Sequence, residues 1–438
     1  MRPVQIIFLG FLVVIAVGTG LLMLPASTSG VEGATFVEAL FTATSALCVT
    51  GLIVVDTATY WSGFGEAIIL VLIQVGGFGV MTFATVIGLA VMGRLSLRSR
   101  LIAATEAKSL GLADLRALVI GIVKISLLIE AVLAVILTAR FALAYDKPFA
   151  EAVWQGVFHS VSAFNNAGFS LFSDSMMRFV GDPVICLSMA AAIILGGVGF
   201  PVILQLRRRL RTPRLWSMHT RIVVWGTLVL LTLGTVMITA FEWDNEDTLG
   251  SLSLPEKLLA GFFQSVQTRT AGFNSVDVGE MESATWLGMD VLMFIGGGPA
   301  GTAGGIKITT FAVLLFILIA ELRGDTAVNI FGKRLSRSVH RQAISVVLLA
   351  IAFIIACTGA LLLVSGMPLD RVLFEAVSAF ATVGLSTGIT DELPEFGQLI
   401  LVLLMFIGRI GPITFASALA LRERTRQYEL PKERPIIG

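Results

Sequence analysis

The stretch Phe158–Asp174, FHSVSAFNNAGFSLFSD, reads as a short helix, a sharp turn at Gly168 and an extended run out to a carboxylate. The same pattern recurs as FTATSALCVTGLIVVD (Phe41–Asp56), FFQSVQTRTAGFNSVD (Phe262–Asp277) and FEAVSAFATVGLSTGITD (Phe374–Asp391). In each copy a Phe precedes the turn glycine by ten positions: Phe41 and Gly51, Phe158 and Gly168, Phe262 and Gly272, Phe374 and Gly384. A large apolar residue follows each glycine (Leu52, Phe169, Phe273, Leu385). Three copies carry serine six positions before it, Ser45, Ser162 and Ser378, where the third has Val266. Copies spaced roughly 100 to 120 residues apart are an internal repeat, which has to be recognised before a fold is assigned.

The bulk composition says where such repeats sit. Of 438 residues, 56% are hydrophobic and 14% charged, and the mean hydropathy is +0.89. Soluble domains carry about 25% charge, so an integral membrane protein is expected. Cys48, Cys186 and Cys357 offer no disulfide framework, and His159, His219 and His340 are too scattered for a metal site. Each copy of the turn is flanked by apolar segments long enough to span a bilayer. The expected spans are Val4–Leu24 and Phe64–Met92, Leu115–Ala142 and Pro183–Leu206, Arg221–Phe241 and Thr285–Leu322, Val339–Val364 and Phe396–Leu421. Val4–Leu24 is too long for a signal-peptide core and reads as a retained span. The short helices between spans suit re-entrant segments. The expected fold is an all-α integral membrane protein of four pseudo-symmetric helix–re-entrant pore helix–helix repeats around one central pore. The repeats occupy 1–92, 115–206, 221–322 and 339–421; 93–114, 207–220 and 323–338 are cytoplasmic loops, and 422–438 is a cytoplasmic tail.

Orientation follows from the basic residues. Arg94, Arg98, Arg100 and Lys108, then Arg207, Arg208, Arg209, Arg211 and Arg214, then Arg323, Lys333, Arg334 and Arg337 lie between repeats. Arg422, Arg424, Arg426, Lys432 and Arg434 follow the last one. Acids such as Glu32, Asp56, Asp174, Asp182, Asp244, Glu246, Asp247, Asp277, Glu280, Asp391 and Glu392 gather at the opposite ends. The positive-inside rule puts both termini in the cytoplasm and turns the glycine segments outward. The basic loops set topology; membrane lipid headgroups or a cytoplasmic partner are further uses. A nucleic-acid partner is not expected.

Glycine motifs also mark the second spans: GGFGVMTF (Gly76–Phe83), GGVGFPVI (Gly196–Ile203) and GRIGPITF (Gly408–Phe415). In the first two the expected role is close helix packing. The third repeat carries an expanded form, GGGPAGTAGGIKITTF (Gly296–Phe311). Gly296, Gly297, Gly298, Pro299, Gly301, Gly304 and Gly305 cannot fill a regular helix interior, so a break is expected there.

Glycine turns gathered around an axis suit a pore lined by backbone carbonyls, which can replace the hydration shell of an ion. The residues that would present them are Val49, Thr50 and Gly51; Asn166, Ala167 and Gly168; Thr270, Ala271 and Gly272; Thr382, Val383 and Gly384. None is charged, which favours a monovalent cation over calcium or magnesium. The short helices would aim their partly negative ends at it. Asp56, Asp174, Asp277 and Asp391 could concentrate cations at the mouth, or be ordinary loop acids. Cys48 is expected to be reachable from outside unless its side chain packs inward. Lys307 and Arg409 are charges within spans, hence candidates for function; Lys124 and Glu130 read as packing or snorkelling residues.

With these motifs the whole chain resembles the Trk/Ktr/HKT superfamily of potassium transporters, most closely the Ktr-type membrane subunit. The four glycine turns, the break in the third repeat and Arg409 carry the resemblance. It implies potassium uptake through a four-glycine selectivity filter, sodium stimulation, a homodimer and a separate cytoplasmic nucleotide-binding ring. Potassium is then the transported ion, sodium an activator, and no cofactor is expected in the chain itself. A plasma-membrane location, in bacteria the inner membrane, follows. Glycine rather than serine at Gly51 resembles the potassium-selective members.

The stretch Gly296–Gly301 formally fits G-x-G-x-x-G, but no βαβ unit surrounds it, and Gly304-Gly305-Ile306-Lys307 is not a P-loop. A coupled symporter with alternating access is the alternative within transport, although the repeats share one orientation rather than being inverted. A membrane-embedded enzyme would need clustered catalytic acids or histidines, which the sequence does not suggest. The segment 296–305 with Lys307 and Arg409 is the expected gate.

Overall fold

A computed structural model describes residues 3–30, 33–93 and 112–411, with side chains over 5, 8–30, 33–79 and 119–411. Glu32, the basic residues from Arg94 to Lys108 and those from Arg422 to Arg434 lie outside the described residues. The chain is mainly helical. Helices α1 (Pro3–Leu22), α2 (Phe36–Leu47), α3 (Thr57–Tyr60) and α4 (Gly63–Gly93) come first. Then follow α5 (Leu112–Ala144), α6 (Phe149–Phe164), α7 (Pro183–Val198) and α8 (Phe200–Arg209). The second half holds α9 (Met218–Phe241), α10 (Leu254–Gln267), α11 (Ser283–Phe294), α12 (Ile308–Leu322), α13 (Arg337–Ser365), α14 (Leu369–Ala381) and α15 (Glu395–Ile410). A hairpin of β1 (Asn329–Ile330) and β2 (Lys333–Arg334), which the sequence reading missed, lies between α12 and α13.

Among the described residues, Val119–Ala144, Met218–Phe241 and Arg337–Ser365 are long and apolar enough to cross a membrane. They carry Leu128, Val135, Leu348, Ile355 and Leu363 fully on the outside, at 62–90% exposure, an apolar surface that water would not tolerate. The short helices α2, α6, α10 and α14 are 12, 16, 14 and 13 residues long. At about 1.5 Å per residue none spans a hydrocarbon core about 30 Å thick. Their starts are locally encoded. Thr35 and Glu38 form a capping box on α2, Ser253 and Glu256 another on α10, and Pro148 and Pro368 stand at the N-caps of α6 and α14.

The expected span Pro183–Leu206 is not one straight helix. It bends by 102° between α7 and α8, because Gly199 takes φ 89° and ψ 146°, a backbone closed to side chains with a Cβ. Gly411 has the same conformation, φ 92° and ψ 138°, and ends α15. The third motif breaks as expected, with α11 ending at Phe294 and α12 starting at Ile308. The preceding glycines of these motifs do serve packing. A Cβ on Gly76 would lie 1.9 Å from Leu47 O, on Gly196 2.0 Å from Phe164 O, and on Gly408 1.7 Å from Phe380 O. Each lets the following helix rest on the carboxyl end of the short helix of its own unit.

Three of the apolar residues after the turn glycines share a core with a neighbouring unit as well as with their own. Phe273 is buried with Ile185, Met189 and Ile193 of α7, and Phe169 with Leu72, Ile73 and Trp61 of the first unit. Leu52 joins Phe374, Phe380 and Leu404 of the last. Each of these three cores is shared by two units, so burial of a few large side chains, about 1.5–3 kcal/mol each, joins the units. Cys48 belongs to the same core and is fully buried; its side chain packs inward rather than facing the outside.

Two outcomes follow. Gly408→Ala overpacks the contact with Phe380 and costs about 1–3 kcal/mol or more, read as a lower melting temperature of the detergent-solubilised protein. Gly359→Ala on the exposed side of α13, where a Cβ meets nothing within 4 Å, leaves it unchanged; equal melting of the two variants contradicts the packing. Cys48 stays unmodified by a membrane-impermeant maleimide at either face of the folded protein. Mass-spectrometric detection of rapid adduct formation at Cys48 would show that the thiol is open.

Candidate ion pathway

The four turn glycines meet. A Cβ on Gly51 would lie 2.4 Å from Ala167 O, on Gly168 2.9 Å from Ala271 O, on Gly272 2.4 Å from Val383 O, and on Gly384 2.0 Å from Thr50 O. Each glycine thus faces the carbonyl just before the next glycine, and the last faces the first. The segments close a ring through backbone alone. Their conformation repeats as well. Val49, Asn166, Thr270 and Thr382 have φ 56°, 60°, 69° and 51°, and the glycines two positions on have φ between 73° and 93°. The left-handed region at Val49, Thr270 and Thr382 is unusual for β-branched residues. The sequence reading missed it, since only the glycines advertise such a backbone.

Buried side chains hold this backbone. Ser45 Oγ donates to Leu52 O (2.7 Å) and accepts from Gly51 N (3.1 Å). Ser162 Oγ donates to Phe169 O (2.8 Å), and Ser378 Oγ accepts from Gly384 N (3.1 Å). Where the third copy has Val266, the next residue takes over: Gln267 Oε1 accepts from Phe273 N (3.2 Å). One position after the leading Phe, His159 and Glu375 brace the outgoing limbs. His159 Nε2 accepts from Leu171 N (3.3 Å), and Glu375 accepts from Ser386 Oγ, Thr387 N and Thr390 Oγ1. Neither bracing role was read from the sequence.

On one side the ring opens into a cavity of about 350 Å³. Asp56, Asp277 and Asp391 line it, together with all four glycines, Ser170, Ser386 and Thr390. Asp174 does not; it forms an ion pair with Arg178 (2.6 Å).

On the other side stands the segment between α11 and α12, and it is pinned rather than loose. Gly298 N donates to Gly197 O (2.7 Å), Thr302 N to Gly196 O (3.1 Å), and Phe200 N to Ala300 O (3.2 Å), so the segment is seated on the bend after α7. Gly304 N donates to Thr270 Oγ1 (3.2 Å), and the Asn166 amide lies 2.9 Å from Thr302 Oγ1. These bonds tie the segment to two arms of the ring. Three cations hold its carbonyls. Arg409, 6% exposed, donates to Thr302 O (2.5 Å) and to Gly76 O (3.1 Å). Lys307 Nζ donates to Ala303 O (2.6 Å) and Gly304 O (3.2 Å). Arg269, absent from the sequence-derived candidates, reaches Gly296 O and Thr227 Oγ1 at 3.4 Å each. Pro299, Gly301 and Gly305 lie within the pinned stretch; only Gly305 of these takes a positive φ, 61°.

Glu130 neither snorkels nor simply packs. It is 4% exposed and accepts hydrogen bonds from Gln74 and Asn165. Glu242, fully buried, accepts from Thr285, Thr248, Asn245 and Glu282 N, and thereby joins the end of α9 to the start of α11.

The comparisons with known proteins agree with one another. The model of the TrkH family, described as cation transport protein, matches residues 2–426. The Ktr system potassium uptake protein B of Bacillus subtilis (strain 168) is 40% identical over 429 residues, 97% of this chain and 94% of that protein. The Vibrio alginolyticus protein of the same name is 41% identical, over 99% of this chain and 94% of that one. The crystal structure of the potassium transporter TrkH from Vibrio parahaemolyticus superposes with a TM-score of 0.74 at 20% identity, covering 94% of this chain and 85% of that one, and so shares the fold. With its apolar helices, the protein is a membrane transporter and not an enzyme. The match of the family model along nearly the whole length, and relatives at 40% identity, place the chain in the TrkH family of cation transport proteins.

Proposed function

We propose that this protein is the ion-translocating subunit of a potassium uptake system, with the glycine ring as its selectivity filter. The observation that carries the reading is the closure of four uncharged glycine segments against one another's carbonyls. A narrow ring of carbonyls suits a dehydrated monovalent cation. The short helices deliver it between their carboxyl ends, where the partial charge is negative. The cavity lined by Asp56, Asp277 and Asp391 is the outer mouth, and its acids raise the local cation concentration. On this reading the chain consists of four helix–pore helix–helix repeats around one pore, with boundaries as the sequence sets them and both termini cytoplasmic.

The segment 296–305, with Lys307 and Arg409, is the gate in this proposal. It lies on the inner side of the ring and is held by backbone pairing and by Arg409. A bias of a few kcal/mol between held and released states switches such an element. A regulatory subunit would supply that bias. The two relatives above are each named as protein B of a Ktr system, which supports a multi-component assembly; the resemblance adds a cytoplasmic nucleotide-binding ring, a homodimer and sodium stimulation. Rubidium and potassium uptake in cells lacking their own potassium systems, with and without sodium, tests the whole reading.

Gly272→Ser puts a side chain 2.4 Å from Val383 O on a left-handed backbone. The sodium concentration that halves rubidium uptake is expected to fall roughly tenfold, about 1.4 kcal/mol of discrimination. An unchanged competition curve at normal expression would falsify the filter assignment. Deleting Pro299–Ala303 is expected to raise the maximal uptake rate and to weaken its dependence on the regulatory partner. Arg409→Ala, which frees Thr302 O and Gly76 O, is expected to act in the same direction. A deletion variant present in the membrane that transports no faster than the parent at saturating potassium removes the segment from the gating role.

A further inference from the structure

The position three residues before each turn glycine separates four segments that otherwise share one backbone. It is Cys48, Asn165, Arg269 and Ala381, all buried. Cys48 and Ala381 pack in apolar surroundings. Asn165 does not. Its Nδ2 donates to Glu130 Oε1 (3.1 Å), to Gln74 Oε1 (3.1 Å) and to Val161 O (2.9 Å). Gln74 Nε2 in turn donates to both oxygens of Glu130, at 3.1 and 3.2 Å. The triad joins α4, α5 and the end of α6. Gly77 makes room for it: a Cβ there would lie 1.9 Å from Asn165 Oδ1, a buried oxygen that itself has no hydrogen-bond partner.

A carboxylate satisfies every donor of the triad. Glu130 Oε1 accepts from both amides and Oε2 accepts from Gln74 as well, so all three bonds need an acceptor at each oxygen; a glutamine with its carbonyl at the Oε1 place would set its NH2 against Gln74 Nε2. Burying an acid in a span is costly, and such residues are functional candidates for that reason. The next residue, Asn166, holds φ 60°, a conformation that persists only where its surroundings over-determine it. Asn166 is also an arm of the ring and touches Thr302.

We propose that Glu130 is a positioning residue for cation discrimination: through Asn165 it fixes the backbone of the second filter segment against its neighbours. The inference rests on the filter reading above. It predicts a change in ion recognition rather than in the amount of transporter. Glu130→Gln is expected to raise the KM for rubidium uptake about fivefold and to lower the half-inhibiting sodium concentration by a similar factor, with the maximal rate per transporter kept within about twofold. Asn165→Ala, which leaves the acid but cuts the link, is expected to give the same shift. Parent-like KM and sodium competition in either variant overturn the proposal. So does the absence of both variants from the membrane, which would make the triad a folding element. Gly272→Ser is measured beside them. A shift there with none at Glu130 or Asn165 sinks this inference alone, whereas no shift at Gly272 sinks the filter reading itself.

Discussion

Everything in this structure is arranged around the approach of four peptide backbones closer than any side chain permits. A carbonyl within 2.0–2.9 Å of the point where a Cβ would stand leaves glycine as the residue for that place, and the left-handed backbone at the same positions gives a second reason. The rest follows from holding that arrangement. Serines, Gln267, His159 and Glu375 satisfy the backbone groups that the turns leave unpaired. Buried polar groups without such partners would cost more than the turns could bear.

The segment beneath the ring is held on a different principle. Its own backbone is irregular, and irregular backbone at membrane depth survives only when protein satisfies it. The bend after α7 supplies part of the pairing, and Arg269, Lys307 and Arg409 supply the rest by donating to carbonyls. A buried cation whose partners are carbonyls keeps its charge uncancelled. The same three side chains therefore both fix the segment and place positive charge on the side of the ring away from the acid-lined cavity.

Much of this could be read from the sequence, for physical reasons. Glycine is the residue that tolerates a missing Cβ, so Gly51, Gly168, Gly272 and Gly384 announce themselves, as do the crowded glycines from Gly296 to Gly305. Hydropathy marks the long helices, and capping residues such as Thr35 with Glu38 mark where short ones begin. Other features were invisible. Val49 and Thr382 give no hint of a left-handed backbone, because tertiary contacts impose it. Gly199 was indistinguishable from the packing glycine Gly196 three residues earlier, although one bends the chain by 102° and the other seats a helix. Glu130 looked like a snorkelling residue because its partners, Gln74 and Asn165, come from helices 56 and 35 residues away. Cys48 could have faced either way; its neighbours in the core decide.

The cores that neighbouring units share bear on how the chain is made. Phe169 shares a core with the first unit, Phe273 with the second, and Leu52 with the last. The carbonyl of Thr50 in the first turn is therefore covered only once Gly384 of the last repeat has been made. A chain built in this way cannot complete its units one after another from the N-terminus. The ring is completed by a contact between the first and last turns, and a nascent chain that ends before Gly384 leaves that edge of the ring open.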